Sequence, residues 1–264
     1  MKIRLLLLFL CACLAQRNAA GATPCGNYTV AFYDHGALNS LRPDGQWRGI
    51  DTDVVNELAR RTGCRLALVL ESRVRIWAML EAGRLDMTVS GIASPARAAY
   101  AHFIPYLASR NYVLLSKQVD AQVQSLEALA ANPRYKVAAV KSFQHGPTLD
   151  AWLARLRAEG RVYDAVDVTA LMRLLMIGRV HAVIALQTSW APWRAETAAA
   201  GLRVMDWAQQ DQVIGSLVLS RKRVPDATVA LFARTIEEMR QDGTLEAIFA
   251  RHMGAELAPA MLRY

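Results

Sequence analysis

Cysteine, long apolar runs and catalytic signatures are all scarce in this sequence. Only four cysteines occur, and two of them, Cys11 and Cys13, fall within the first 22 residues. There is no Gly-x-Ser-x-Gly elbow, no phosphate loop and no Cys/His cluster with metal spacing. Those absences remove the readable signs of hydrolase, nucleotide and zinc chemistry, and the sequence predicts neither a cofactor nor a metal. The one sustained apolar run, Leu5 to Leu14, is ten residues long. That is far short of the roughly 20 needed to span a bilayer. The formal charge of +8 falls to +5 once Lys2, Arg4 and Arg17 are set aside. The remaining arginines are scattered, with no basic stripe and no interleaved aromatics, so a solvated basic surface is the reading and nucleic acid is not an expected partner.

What is present begins with the first 22 residues. Lys2 and Arg4 form a basic start, the apolar run follows, and Ala20-Gly21-Ala22 fits a small-x-small cleavage site. This pattern predicts a secretory signal peptide, cut after Ala22, and delivery to the periplasm. The competing reading is a lipoprotein signal with Leu10-Cys11-Ala12-Cys13 as the attachment box. The exported chain would keep Cys25 and Cys64, each just before an apolar segment, "YTVAFY" at 28–33 and "RLALVL" at 65–70. Export permits a disulfide. If the two strands are parallel neighbours, their starts lie about 4.8 Å apart, within the roughly 4.4–6.8 Å Cα range of a disulfide. Two buried free thiols are the alternative.

One phrase is written twice. "GRLDMTVSGI" occupies 83–92 and "GRVHAVIALQ" occupies 178–187, each after a helix-like run ending Leu-x-x-Gly. The surroundings repeat as well. Strand 28–33, helix 50–62 closed by Gly63, strand 65–70 and helix 73–82 precede the first copy. Strand 136–140, helix 148–158, strand 162–166 and helix 168–177 precede the second. Each copy thus enters the third strand of a βαβαβ run. Such alternation predicts an α/β protein with parallel sheets covered by helices, built as two similar lobes. The tail, strand 214–220 and helices 226–241 and 244–253, has no sheet of its own and must join a lobe already built.

In open parallel sheets ligands bind at the carboxyl ends of strands. The candidates are therefore Tyr33, Asp34 and His35, Glu71, Ser72 and Arg73, and Ser90 and Gly91 in the first lobe. In the second they are Ser142, Phe143 and Gln144, and Leu186, Gln187 and Thr188. Arg97 follows Ser94-Pro95, a helix-initiation signal. A cation in that first turn opposes the helix dipole. It faces either an anion, which its planar fork could grip in bidentate fashion, or plain solvent on an exposed turn. His181 holds the place that Asp86 has in the first copy and reads as a structural histidine; Trp77 and Trp152 read as packing.

Five segments in order, "WRGIDTDVVNELARRTG", "IWAMLEAGRLDMTVSGI", "SPARAAYAHFIPYLASRNYVLL", "MRLLMIGRVHAVI" and "LFARTIEEMRQDGTLEAIFARHMG", resemble the family 3 extracellular solute-binding proteins of bacterial ABC importers. The resemblance spans about 26–254. It implies a two-lobed periplasmic-binding-protein fold of type II, a Venus-flytrap with two crossover strands, near 107–116 and 206–215. The implied division is a signal peptide at 1–22, lobe 1 from 23–110, lobe 2 from 111–210, and a return to lobe 1 over 211–264. The resemblance also implies a monomer that captures a small carboxylate-bearing solute without chemistry, with a membrane permease as partner. Ser94-Pro95-Ala96-Arg97 looks like the family's Thr-x-x-Arg motif, whose arginine binds the ligand carboxylate, and Ser90-Gly91 matches its adjoining turn. Three departures stand beside this. Lys141-Ser142-Phe143 replaces the family's anion-facing turn, Leu186 and Gln187 stand where an acid usually holds the ligand's amino group, and Arg73 replaces an apolar or aromatic contact. These departures leave an organic acid, an acidic or blocked amino acid, or a ligand held by Asp34. A dehydratase acting on cyclohexadienyl substrates, with Glu71 or Asp34 as acid, and an orphan sensor are the alternative functions.

Overall fold

The computed structural model describes residues 25–264; the expected cleavage site after Ala22 and the Cys11/Cys13 box lie outside them. The chain opens with β1 (Asn27–Phe32), a short hairpin of β2 (Ser40–Leu41) and β3 (Trp47–Arg48), α1 (Ile50–Thr62), β4 (Arg65–Leu70), α2 (Arg73–Glu81), β5 (Met87–Gly91) and the single turn α3 (Pro95–Ala98). Then β6 (Ala101–Leu115) runs for 15 residues. The second half holds α4 (Leu126–Ala131), β7 (Val137–Val140), α5 (Pro147–Ala158), β8 (Val162–Ala165), α6 (Val168–Met176), β9 (Ala182–Leu186), α7 (Gln187–Trp190), α8 (Arg194–Ala199) and β10 (Arg203–Met205). The return consists of β11 (Gln212–Ser220), α9 (Asp226–Gln241) and α10 (Thr244–Met253).

The strands lie in the order β4-β1-β5-β11-β6-β9-β7-β8, with β10 on β6. In each half the three βαβαβ strands take the same places: β1 sits between β4 and β5, and β7 between β8 and β9, all parallel. The long β6 belongs to both halves. Its first part pairs antiparallel with β11, and its last part, from Asn111, pairs with β9. Around these sheets the apolar side chains form separate cores. One gathers Phe32, Leu58, Tyr106, Phe232 and Phe249; another gathers Leu115, Val137, Trp152 and Leu156. The tail therefore rejoins the first half, as its lack of a sheet requires. The buried face of α9, Phe232, Ile236 and Met239, carries about 1.5–3 kcal/mol per side chain removed from water.

The two copies of the repeated phrase are one backbone solution used twice. Gly83 and Gly178 both adopt left-handed φ, 68° and 71°. In each case the glycine N–H bonds back to a leucine carbonyl, Leu80 or Leu175, and the following arginine N–H reaches one residue earlier, to Met79 or Leu174. This closes the helix end and turns the chain into the sheet. Asp86 then accepts the N–H of Thr29 at 2.9 Å, and His181 Nδ1 accepts the N–H of Lys136 at 3.1 Å. The histidine does for β7 what the aspartate does for β1. The first strand of the phrase begins two residues later than the apolar run Leu85 to Val89 suggests, because Leu85 and Asp86 are spent on the turn.

Cys25 and Cys64 are bridged, with Cα atoms 4.6 Å apart, where β1 and β4 begin side by side. The bond closes a loop over a separation of 39 residues. Alkylation of the native chain should therefore find no free thiol at Cys25 or Cys64. Reduction should lower stability by roughly 2–4 kcal/mol, read as a fall in the urea midpoint.

Candidate functional site

The carboxyl ends of β1, β4, β5 and β7 converge where the two halves face each other. Two arginines occupy that seam. Arg73 is the first residue of α2 and only 3 % exposed; Arg97 lies in α3 and is 9 % exposed. Burial removes the plain-solvent reading of Arg97. Its backbone N–H is capped by the Ser94 hydroxyl at 3.3 Å, with Pro95 opening the turn, and this fixes the direction of the side chain.

Both guanidinium groups reach across to one atom of the other half, the carbonyl oxygen of Ser142. Arg97 Nη2 donates to it at 3.1 Å, and Arg73 Nε and Nη2 at 3.4 Å. Arg97 Nη1 also donates to the Ile92 carbonyl at 2.8 Å, and Arg73 Nη1 to the Tyr33 hydroxyl at 2.5 Å. Every hydrogen bond of these two side chains among the described residues thus ends on a neutral oxygen. Ser142 presents its carbonyl by adopting φ 61°, a left-handed conformation uncommon for a residue with a Cβ. Burial first, and the neighbouring Arg73 second, push the Arg97 guanidinium down to about 10, so it stays charged at neutral pH.

Aromatic rings complete the floor. Arg97 lies 3.8 Å above the Trp77 ring, and Arg73 lies 4.7 Å from the Phe143 ring centre and 5.3 Å from that of Tyr33. Such faces attract a desolvated cation. A Cβ on Gly91 would run into the Val218 side chain and come within 3.2 Å of the Trp77 indole edge. Tyr33 accepts from Arg73, and its hydroxyl shares a hydrogen bond with His35 Nδ1 at 2.9 Å. Burial, reinforced by Arg73, pushes the His35 imidazole down to about 3, so the ring is neutral.

Behind the arginines lies a buried carboxyl. Asp51 accepts hydrogen bonds from Ser90 Oγ at 2.8 Å, Tyr106 at 2.6 Å and Asn39 at 2.7 Å. Ser90 is itself held at φ 48°, and its N–H donates to the Tyr106 hydroxyl at 2.9 Å. The hydroxyl and the N–H of Ser90 are therefore engaged within the first half.

The halves touch in this structure. The Ala37 N–H donates to the Thr188 carbonyl at 2.8 Å, and Thr169 Oγ1 reaches Asp34 Oδ2 at 3.4 Å. A Cβ on Gly36, whose φ is 63°, would run into the Ser189 carbonyl. Beside Phe143 lies a hollow barely large enough for one water molecule, lined by His35, Asn111, Phe143, His145 and Ser189 among others. The Asn111 amide nitrogen donates to the His145 carbonyl at 3.0 Å, while Asn111 Oδ1 and Ser189 Oγ are buried with no partner among the described residues.

Of the residues singled out from sequence, Tyr33, His35, Arg73, Arg97, Ser142 and Phe143 come together. Asp34 stands at the rim, and burial raises its carboxyl above the ordinary range. Gln187 does not join them; it lines a hollow with Arg110, Tyr112 and Gln212. Trp77 is packing on one face and site floor on the other, a role its helical spacing does not reveal. Asn111, His145 and Ser189 carry no sequence signal of their own. Among the described residues no group of three His, Cys, Asp or Glu could hold a metal ion.

This geometry meets the comparisons with known proteins. The description "Bacterial extracellular solute-binding proteins, family 3" matches residues 29–255. The chain belongs to this family. A curated relative, the "Probable histidine-binding protein" of Campylobacter jejuni, is 24 % identical over 251 residues, covering 93 % of each chain. Among solved structures, an ancestral arginine-binding protein bound to arginine matches with TM-score 0.74 at 18 % identity, over 88 % of this chain and all of that one. EhuB in complex with hydroxyectoine matches with TM-score 0.74 at 19 % identity, over 89 % and 91 %. The fold is thus the two-lobed, type II periplasmic-binding-protein fold, and members of the family are extracellular solute binders.

Asp51 gives the site a pH signature. Burial pushes its carboxyl up to about 7, against an ordinary value near 3.8. The folded state then holds a proton that the unfolded chain gives up between about pH 4 and 7, so this contribution to stability is whole below pH 4 and is lost as pH rises through 7. Wild-type stability minus that of Asp51→Asn should fall across that window, by at most roughly 1.4 kcal/mol per pH unit. A difference independent of pH, from denaturant titrations at several pH values, would contradict the raised pKa.

Proposed function

We propose that this protein is a periplasmic receptor that captures a small carboxylate-bearing solute, an amino acid or related organic acid, between its two lobes without chemical change. One observation carries the reading: the Arg97 guanidinium is buried in the seam between the halves, and its partners there are neutral carbonyls. A carboxylate replacing the Ser142 carbonyl would make charge-assisted, bidentate bonds to the fork. The relatives' names fit the same class, since histidine and arginine both carry a carboxylate. Delivery to the membrane permease of an ABC importer, by a monomeric receptor, completes the proposal. The dehydratase alternative needs an acid facing the ligand. Glu71 is paired with Arg75 at 3.3 Å and Asp34 lies at the rim, which favours binding over catalysis.

The Ser90 role read from sequence changes within this proposal. With its N–H and hydroxyl engaged by Tyr106 and Asp51, Ser90 supports the shape of the turn, and Arg97 supplies the grip.

The test is a thermal-shift screen of amino acids and organic acids, followed by calorimetry on the ligand found. A bound solute raises stability by about 2.7 kcal/mol at a hundredfold excess over Kd. Arg97→Ala should weaken binding roughly 30- to 4,000-fold, the equivalent of about 2–5 kcal/mol for losing one partner of a buried charged pair. Binding within about threefold of wild type by a folded variant would refute the assignment. Small-angle scattering should also show a smaller radius of gyration with ligand than without. An unchanged radius at saturation would argue against lobe closure.

A further inference from the structure

The seam holds two buried cations, and a monocarboxylate would neutralise only one. Arg73 is the more buried of the pair, and its partners are the Tyr33 hydroxyl and the Ser142 carbonyl, both neutral. It is close enough to Arg97 for both to share one acceptor. Like charges so placed repel, and burial strengthens the repulsion. None of the residues lining the adjoining hollow is acidic; the nearby Asp150 is engaged by the backbone and ring of His145, at 2.9 and 3.3 Å. No carboxylate among the described residues bonds to either guanidinium, so a bound acid would supply that contact.

Phe143 borders both the hollow and Arg73. The Phe143 ring packs on Arg73 on one side, and on His35 and His145, which line the hollow, on the other, at 5.6 and 4.9 Å between ring centres. Displacing Phe143 would open the hollow toward Arg73. The opened space would then hold the two guanidinium groups together with Ser189 Oγ and Asn111 Oδ1, which have no partner among the described residues. The Asn111 nitrogen is fixed by the His145 carbonyl, so Oδ1 is an acceptor awaiting a donor.

Building on the binding reading above, we propose that the solute is a short dicarboxylate, with one carboxylate on Arg97 and the other on Arg73, bound by displacing the Ser142 carbonyl and the Phe143 ring. A hydroxyl or amino group between the acids would meet Asn111 Oδ1. Arg73 is then the residue that sets specificity.

Calorimetry with succinate, malate, aspartate and glutarate, against propionate, butyrate, glycine, arginine and inorganic phosphate, tests this on the full exported chain. At least one diacid should bind 100-fold or more tighter than the monoacid of matching length, and malate or aspartate tighter than succinate if Asn111 takes part. Arg73→Gln should reduce the diacid-to-monoacid preference to within about threefold, with diacid affinity falling by on the order of 100-fold. Arg73→Lys should recover only part of it, since an ammonium lacks the fork. Arg75→Gln, exposed on the same helix, serves as control, and circular dichroism establishes folding. Diacid binding unchanged in Arg73→Gln, or a monoacid, arginine or phosphate binding wild type as tightly as any diacid, would overturn the proposal while leaving a solute receptor. No binding of any solute in the wider screen would instead remove the receptor reading itself.

Discussion

Burying a guanidinium away from water without a carboxylate beside it is expensive, and this protein does so twice within reach of a single carbonyl oxygen. Much of the site can be understood as accommodation to that cost. Ser142 adopts a left-handed backbone to offer its carbonyl, Trp77 and Phe143 lay ring faces against the cations, and Tyr33 accepts from Arg73 while bonding to a neutral His35. Because the shared carbonyl comes from the opposite half, the same contacts that shelter the cations also hold the halves together. Shelter and closure are one set of interactions.

The scaffold presents these groups by using one construction twice. A helix closed by a left-handed glycine feeds the third strand of each βαβαβ run, and a side chain just beyond it, Asp86 or His181, ties that strand to the start of the first. A carboxyl in one half and an imidazole in the other accept the same backbone bond, so the geometry of the turn matters more than the type of residue that secures it.

The periodic parts of this arrangement were legible in the sequence. Helices α9 and α10 fall at 226–241 and 244–253 as their apolar spacing indicates, and Cys25 and Cys64 meet because they precede neighbouring parallel strands. Local signals also marked Arg97, but whether it faced solvent or the interior depended on a turn 45 residues away. The same limit applies to Ser90, engaged by an Asp51 that sequence shows only as part of an amphipathic helix. Gln187 was singled out by position after a strand, yet α7 begins there and turns it from the arginines. Asn111, His145 and Ser189 come from a crossing strand, a turn and a short helix. Nothing in any one segment shows that they share a hollow; that follows only from the contact between halves.

The position of β11 has a consequence for how the chain comes to be folded. It lies between β5 and β6, in the middle of the first half's sheet, yet it is contributed by residues 212–220. Strands β7, β8 and β9 and the helices among them are complete in sequence well before that point. A chain emerging from its N-terminus can therefore assemble most of the second half early, while the first half waits with the facing edges of β5 and β6 unpaired. Open strand edges of this kind invite pairing with other chains. The return through residues 212–220 is the strand that pairs both edges at once.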